Sequence, residues 1–124
     1  MERSFDLIVF GATGFTGHLV AEYLQATYGA AGGLRWALAG RDAAKLARVR
    51  DAIGARATLP LLTADASDVD ALAALAARTR VILTTVGPYQ LHGETLVLAC
   101  ARAGTDYVDL CGEPAWMAKM IPRL

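Results

Sequence analysis

The stretch from Leu7 to Val20, LIVFGATGFTGHLV, constrains the fold of this chain more than any other. An unbroken apolar run ends at Phe10, three glycines follow with the spacing G-x-x-G-x-x-G, and an amphipathic helix pattern then begins. This order predicts a buried strand, a glycine-rich turn and the N-terminus of a helix. Such a turn brings backbone N–H groups and the positive end of a helix dipole against a phosphate.

Each glycine of the turn has a predicted role. Gly11 makes the tight turn, Gly14 lets the backbone approach a pyrophosphate, and Gly17 lets the helix pack close to the strand. The alternative is a plain strand-to-helix turn, because turns commonly need glycine. We predict dinucleotide binding by the seven turn residues Gly11, Ala12, Thr13, Gly14, Phe15, Thr16 and Gly17.

The composition indicates one globular domain and excludes several kinds of partner. The 124 residues are 55% hydrophobic and 19% charged, and 12 Lys+Arg balance 12 Asp+Glu. Without a basic field we expect neither nucleic acid nor an anionic membrane as a partner. No apolar run approaches the roughly 18–20 residues of a membrane-spanning helix. Two cysteines and a charged N-terminus favour a reducing, cytoplasmic location, and two histidines make a metal cluster unexpected.

Apolar runs alternate with helical patterns along the whole chain. The predicted strands are about Phe5–Phe10, Leu34–Ala39, Thr58–Thr63, Val81–Val86 and Tyr107–Leu110. The predicted helices are about Gly14–Thr27, a segment from Asp42 to Gly54, a segment from Ser67, about Leu91–Ala103, and a last piece from Ala115. This alternation predicts an α/β fold of the Rossmann type, a doubly wound parallel sheet in the order 3-2-1-4-5. The ligand should lie across the carboxyl ends of the strands, near the break between strands one and four.

Local signals refine these elements. Asp42 is the expected N-cap of the second helix and Ser67 that of the third. Pro60 predicts an edge or irregular third strand. The buried face predicted for the first helix consists of Phe15, Leu19, Val20, Tyr23 and Leu24.

Arg41 follows the second strand, where NAD sites usually carry an acidic residue for the ribose hydroxyls. A guanidinium there matches a 2′-phosphate in charge and in its fork of donors. The alternative is a solvated arginine with Asp42 as the ribose acceptor. Because Asp42 is already a predicted N-cap, we favour NADP(H) over NAD(H).

Further polar residues end the later strands. Asp65 either accepts from the adenine amino group or forms a turn. Val86, Gly87, Pro88 and Tyr89 should run under the nicotinamide ribose, although Tyr89 is equally explained as a packed aromatic residue. His92 is either an acid or base or, as we favour, a partly exposed surface residue. Asp109 and Glu113 either face the ligand or cap the helix that Pro114 begins.

Five segments together resemble one known family. GATGFTG, LAGRD, GPYQLHGE, the alanine- and cysteine-rich helix and YVDLCGE are similar to the N-terminal NADP-binding domain of saccharopine dehydrogenase-like oxidoreductases, including their trans-acting enoyl reductase branch. The resemblance covers nearly the whole chain. It implies NADP(H), hydride transfer to an unidentified small-molecule or acyl substrate, and a second, substrate-binding domain in a longer protein.

We therefore expect residues 1–124 to be an NAD(P)-binding domain cut before the substrate domain, with residues 113–124 beginning the connection. Such a chain should bind cofactor without turnover, with its catalytic residues unknown. Self-association into a homo-oligomer is left open, because apolar surface around Trp116, Met117, Met120 and Ile121 would be exposed. Two alternatives remain: a short-chain-dehydrogenase relative, and a non-catalytic module that senses NADP(H).

Overall fold

A computed structural model describes residues 3–29, 32–87, 92–110 and 112–124. Its strands are β1 (Phe5–Phe10), β2 (Trp36–Gly40), β3 (Leu61–Thr63), β4 (Thr79–Thr84) and β5 (Asp106–Asp109). Its helices are α1 (Phe15–Leu24), α2 (Ala43–Ala52), α3 (Val69–Ala77), α4 (Glu94–Ala103) and α5 (Pro114–Met120). A π-helical turn, Gln25–Gly29, follows α1, and a 3-10 turn, Ile121–Arg123, follows α5. Among the helices so described, none has both the length and the apolar character needed to cross a membrane.

The strands form one parallel sheet in the order β3-β2-β1-β4-β5. β1 lies at its centre, where Leu7 is in register with Trp36 of β2 and with Val81 of β4. The predicted fold and strand order are thus confirmed, and β3, the strand that Pro60 precedes, is an edge strand. The order reverses between β1 and β4, so the crevice expected of such sheets opens there.

The apolar run of β1 is continuous because helices cover both faces of the sheet. Ile8 and Phe10 point to one face, where they pack against α3 and α4 through residues such as Leu72 and Leu96. Val9 points to the other face and packs in the cluster of α1 and α2. Alternate side chains of a strand thus enter two cores, which holds the carboxyl end of β1 in place from both sides.

The predicted buried face of α1 is confirmed for Leu24, which is buried, and for Val20, which packs partly buried against the same core, but it is wrong for the other three residues. Phe15 and Tyr23 are 83% and 64% exposed and Leu19 is also exposed, whereas Gly17, Ala21 and Leu24 are buried. The three buried residues also have helical spacing, but two of them are the small residues Gly17 and Ala21. The reason is the close approach of α1 to the turn, which leaves no room for a large side chain at the start of the helix.

Two predicted N-caps have different outcomes. Asp42 caps α2 as predicted, since its Oδ1 accepts from the backbone N of Ala44 at 3.0 Å and of Lys45 at 3.2 Å. The cap of α3 is Asp68 rather than Ser67, with Oδ1 3.1 Å from the N of Ala71. Both residue types are good caps, so the sequence alone could not separate neighbours.

Both boundaries of β4 lie two residues before the predicted ones. β4 starts at Thr79 and stops at Thr84, two residues before the predicted end. The Thr84 hydroxyl accepts from the N of Val86 at 3.2 Å, and the N of Thr85 donates to the carbonyl of Phe10 at 3.1 Å. The residues that follow β4 therefore stay beside the end of β1.

The C-terminal segment is partly buried, contrary to the expected exposure of all four of its large apolar residues. Trp116 and Met120 are buried against Val97 of α4. Met117 and Ile121 are exposed as expected. α5 is therefore an integral layer of this fold.

Candidate cofactor-binding site

The turn after β1 is held by a backbone bond to β2 and by a side-chain bond from Thr85, which follows β4. The N of Gly11 donates to the carbonyl of Ala39 at 2.9 Å. The carbonyl of Gly11 accepts from the N of Gly14 and from the Thr85 hydroxyl, each at 3.2 Å. The turn is consequently fixed before any ligand arrives.

The three glycines differ in what surrounds them. Gly11 has φ +93°, and a Cβ on it would lie 2.6 Å from Cγ2 of Val86. A Cβ on Gly17 would lie 2.8 Å from the carbonyl carbon of Gly11 and 2.9 Å from Cα of Ala12. A Cβ on Gly14 would meet only the Gly11 carbonyl oxygen, at an ordinary 3.6 Å. The fold itself requires glycine at positions 11 and 17 but not at position 14.

The N-terminus of α1 is open to an anion. Gly14 is the N-cap, so no side chain accepts from the first helical N–H groups, and the first turn carries no acidic residue. Unsatisfied N–H groups and the helix dipole favour a phosphate at such an end. The predicted pyrophosphate position lies at this end of α1.

A cavity of about 660 Å³ lies across the carboxyl ends of β1 to β4. It is lined by Phe10, Gly11, Thr13, Gly40, Arg41, Ala64, Asp65, Ala66, Ser67, Val86, Gly87, His92, Glu94 and Thr95. A second cavity of about 260 Å³ lies at the opposite end of the sheet, beside Tyr28, Trp36 and Leu59, far from the turn. The larger cavity is the one that adjoins the glycine turn.

The predicted site residues are distributed around this cavity. Six line it: Gly11, Thr13, Arg41, Asp65, Val86 and Gly87. Ala12 is fully buried under the turn, and Gly14, Phe15, Thr16 and Gly17 form its exit into α1. Pro88 and Tyr89 lie outside the described residues. Asp109 and Glu113 are not among the lining residues, and Glu113 takes the N-cap position of α5 without a side-chain capping bond.

Arg41 points into the cavity from the end of β2. Within the described ranges its guanidinium makes no hydrogen bond and no ion pair. Asp42 beside it is engaged as the cap of α2. The arrangement leaves an exposed cation ready for an anionic ligand group.

Asp65 forms the turn that was one of its two predicted roles. Its Oδ1 accepts from the hydroxyl of Ser67 at 2.6 Å and from the backbone N of Ser67 at 2.9 Å. These bonds lower the pKa of Asp65 below its ordinary value, and the nearby charges of Arg41 and His92 act in the same direction. The carboxylate is therefore ionised at neutral pH, and both of these bonds go to a single oxygen.

Eight lining residues are not among the predicted cofactor residues: five adjoin the ends of β1 to β3 (Phe10, Gly40, Ala64, Ala66 and Ser67), and three lie at the start of α4. Glu94 and Thr95 follow the Gly93 N-cap directly, and His92 precedes it. Glu94 is held by Nη1 of Arg123 at 2.6 Å and Nζ of Lys119 at 3.4 Å, and these bonds lower its pKa. The available signal was positional: residues that begin the helix after a switch-point strand face the ligand crevice. In the described part of the chain no three His, Cys, Asp or Glu residues could hold a metal ion.

The profile of the family described as the saccharopine dehydrogenase NADP-binding domain matches residues 7–122. The chain belongs to this family. The cofactor of the domain is accordingly NADP(H), as the sequence predicts. One predicted alternative was a relative of the short-chain dehydrogenases. A structure of that class shares the fold of this chain at 14% identity, which supports a similar fold and no closer relation.

Relatives of this saccharopine dehydrogenase NADP-binding domain are much longer proteins. The trans-acting enoyl reductase of Mycobacterium tuberculosis strain H37Rv is 53% identical over 113 residues, which are 90% of this chain and 26% of the relative. The chain spans about a quarter of the length of the curated relatives it matches.

Solved structures agree in fold. Apo saccharopine dehydrogenase (L-Glu forming) from Saccharomyces cerevisiae superposes with a TM-score of 0.73 at 22% identity, over 95% of this chain and 24% of that one. The triphenylmethane reductase of a Citrobacter species, complexed with NADP(H), superposes with a TM-score of 0.63 at 25% identity, over 82% of this chain and 35% of that one.

Proposed function

We propose that this domain is the cofactor-binding part of an enoyl reductase in which NADPH reduces a carbon–carbon double bond of an acyl substrate. The proposal is supported by relatives more than half identical to this chain that are named trans-acting enoyl reductases. It is further supported by a cavity whose rim offers the α1 N-terminus, which has no side-chain cap, and the exposed guanidinium of Arg41. The chain spans about a quarter of those relatives, so residues 1–124 are proposed as the cofactor domain and 113–124 as its connection to the remainder.

The residues of the domain would bind and orient the cofactor. The N–H groups at the start of α1, reached across Gly14, would hold the pyrophosphate. Arg41 would bind the 2′-phosphate, and Asp65 would accept from the adenine amino group. Val86 and Gly87, together with Pro88 and Tyr89, would support the nicotinamide ribose. When bound, the cofactor supplies a hydride, while the domain's own contribution is position and electrostatics.

The chain alone should bind NADPH without turning over substrate. The domain provides one wall of the nicotinamide site, and the proposed substrate contacts lie in the remainder of the longer protein. Mixing the 124-residue chain with NADPH and an enoyl thioester should leave the NADPH absorbance constant. Steady oxidation of NADPH would contradict this part of the proposal.

The decisive measurement is calorimetric titration with NADPH and NADH. The unmodified chain should prefer NADPH, and Arg41→Ala should weaken NADPH binding at least about tenfold, since a charge-assisted fork to phosphate is lost. NADH affinity should change little. Arg48→Ala is the matched control, because Arg48 is exposed on neighbouring α2 and does not line the cavity. Equal affinity for both cofactors, or an unchanged Arg41→Ala variant, would exclude the 2′-phosphate role.

A cytoplasmic location is also proposed. It is supported by Cys100, a buried free thiol, although Cys111 lies outside the described residues. Desolvation raises the Cys100 pKa to about 12, so this thiol stays protonated and unreactive.

A further inference from the structure

His92 lines the same cavity as Arg41, although the two come from different strand ends. His92 is exposed and lies just before the N-cap of α4, on the chain segment that leaves β4. With residues in the described ranges its imidazole forms no hydrogen bond or ion pair. The fold thus leaves this ring available to a ligand.

The surroundings of His92 identify which end of the cavity it occupies. Chain order alone would place it near the nicotinamide ribose, because it follows the tip of β4. In the structure α4 packs beside α3 on one face of the sheet, and both helices begin at its carboxyl edge, so His92 lies on the side of the cavity that Asp65 lines. Arg41 lies beside Asp65 because β2 pairs with β3. Three groups that are distant in sequence therefore share one end of the cavity. That end includes the paired tips of β2 and β3.

We propose that His92 binds the phosphorylated adenosine half of NADP(H), together with Arg41 and Asp65. The assignment rests on the cofactor site proposed above and adds a residue to it. An imidazole can donate to a phosphate oxygen and can pack its ring against an adenine. The charged groups of the described part that line this cavity with it are Arg41, Asp65 and Glu94, and Glu94 is already held by Lys119 and Arg123. His92 is thus a binding residue and not the acid or base considered from the sequence.

The test uses a ligand that contains only the phosphorylated adenosine half of the cofactor. The 124-residue chain and its His92→Gln variant are titrated with NADPH and with 2′,5′-ADP, which lacks the nicotinamide half. We expect His92→Gln to weaken both ligands by a similar factor, about five- to tenfold. Because His92 is exposed, the variant should keep the thermal midpoint of the unmodified chain.

His18→Gln is the matched control. His18 is the other histidine of the chain, lies on α1 with its Nε2 3.8 Å from Oε2 of Glu22, and does not line the cavity. The His18→Gln variant should bind NADPH and 2′,5′-ADP as tightly as the unmodified chain does. An equal loss in His18→Gln would overturn the assignment by showing that the effect is not specific to the site.

The other outcomes separate this inference from the proposed function. If His92→Gln binds normally while Arg41→Ala loses affinity, His92 is not part of the site and the proposed function stands. If His92→Gln weakens NADPH but not 2′,5′-ADP, the residue belongs to the nicotinamide half and the assignment is wrong. If the unmodified chain binds neither ligand, the proposed function itself fails.

Discussion

At the scale of single residues, the three glycines of the turn have two different explanations. Gly11 and Gly17 are required by the protein, because a side chain at either position would collide with neighbouring atoms. Gly14 meets no such obstacle, since its φ of −78° suits any residue and its Cβ position is open. The proposed approach of a pyrophosphate to this backbone would account for glycine at position 14.

This difference predicts opposite phenotypes for two alanine variants. Gly14→Ala should keep stability within about 1 kcal/mol, the usual range for an N-cap change, and lose NADPH affinity about tenfold or more. Gly17→Ala should lose about 1–3 kcal/mol of unfolding free energy, because the added methyl is forced against backbone. Urea unfolding and calorimetric titration measure the two effects. Normal NADPH binding by Gly14→Ala would contradict the pyrophosphate position.

The sequence predicted those residues whose role follows from local chemistry. Asp42 was recognisable because an N-cap needs only a short acceptor before a helix. The choice between Ser67 and Asp68 was not, because it depends on Asp65, which already engages the Ser67 hydroxyl at 2.6 Å. His92 was harder still, since it shares a cavity with Asp65 only once the sheet and its helices are assembled.

At the scale of elements, α1 shows where helical periodicity is insufficient. Both faces of this helix have apolar residues at helical spacing, so periodicity alone allows either to be buried. The choice is made by the turn: Gly17 brings the helix against Gly11 and Ala12, and only small side chains fit along that line. The larger residues Leu19 and Tyr23 are consequently turned outwards.

The first turn of α4 is tied to α5 by Glu94, which also lines the cofactor cavity. Glu94→Gln should loosen α5 and raise the exchange rate of its backbone amides about two- to fivefold at neutral pH, as expected for exposed ion pairs. Hydrogen exchange followed by mass spectrometry measures this. Glu22→Gln, on α1, is the matched control, and unchanged protection of α5 in Glu94→Gln would contradict the prediction.

The ion pairs of Glu94 with Arg123 and Lys119 depend on pH. The pKa of Glu94 is lowered in the folded chain, mainly by the bond from Arg123. The stabilisation is therefore present above the unfolded-state pKa of about 4.3 and is lost as the pH falls through the lowered folded-state value. The amide exchange rates of α5 in Glu94→Gln and in the unmodified chain should accordingly become equal in acid.

At the scale of the whole molecule, apolar side chains remain exposed on the side opposite to β3. They are Val108 and Leu110 at the β5 edge and Ile121 after α5. Exposed apolar surface of this kind promotes contact between protein chains. We expect the 124-residue chain to associate weakly as its concentration rises.

Sedimentation velocity over a range of concentrations tests this association. Ile121→Lys should lower the weight-average mass at high concentration, because Ile121 is 67% exposed. Ala118→Lys adds the same charge at another exposed position of α5 and is the control. A monomeric unmodified chain at every concentration would contradict the prediction.

The overall architecture was the most predictable level. Alternating strand and helix patterns permit few arrangements once parallel crossovers must be right-handed, and the glycine turn marks which strand is central. The sequence did not predict which side chains of each element are buried. Burial of Trp116 and Met120 under α4, for example, depends on where α5 docks and not on its own pattern.

The parallel sheet also has a consequence for synthesis of the chain. Leu7 of the central strand is in register with Val81, which the ribosome adds 74 residues later. At about 5–20 residues per second, β1 waits roughly 4–15 s before its second neighbour exists. During that interval at least one edge of β1 is unpaired, so the nascent chain is more prone to aggregate until β4 emerges. Slower translation would lengthen this vulnerable period, whereas a chaperone bound to the early segment would cover it.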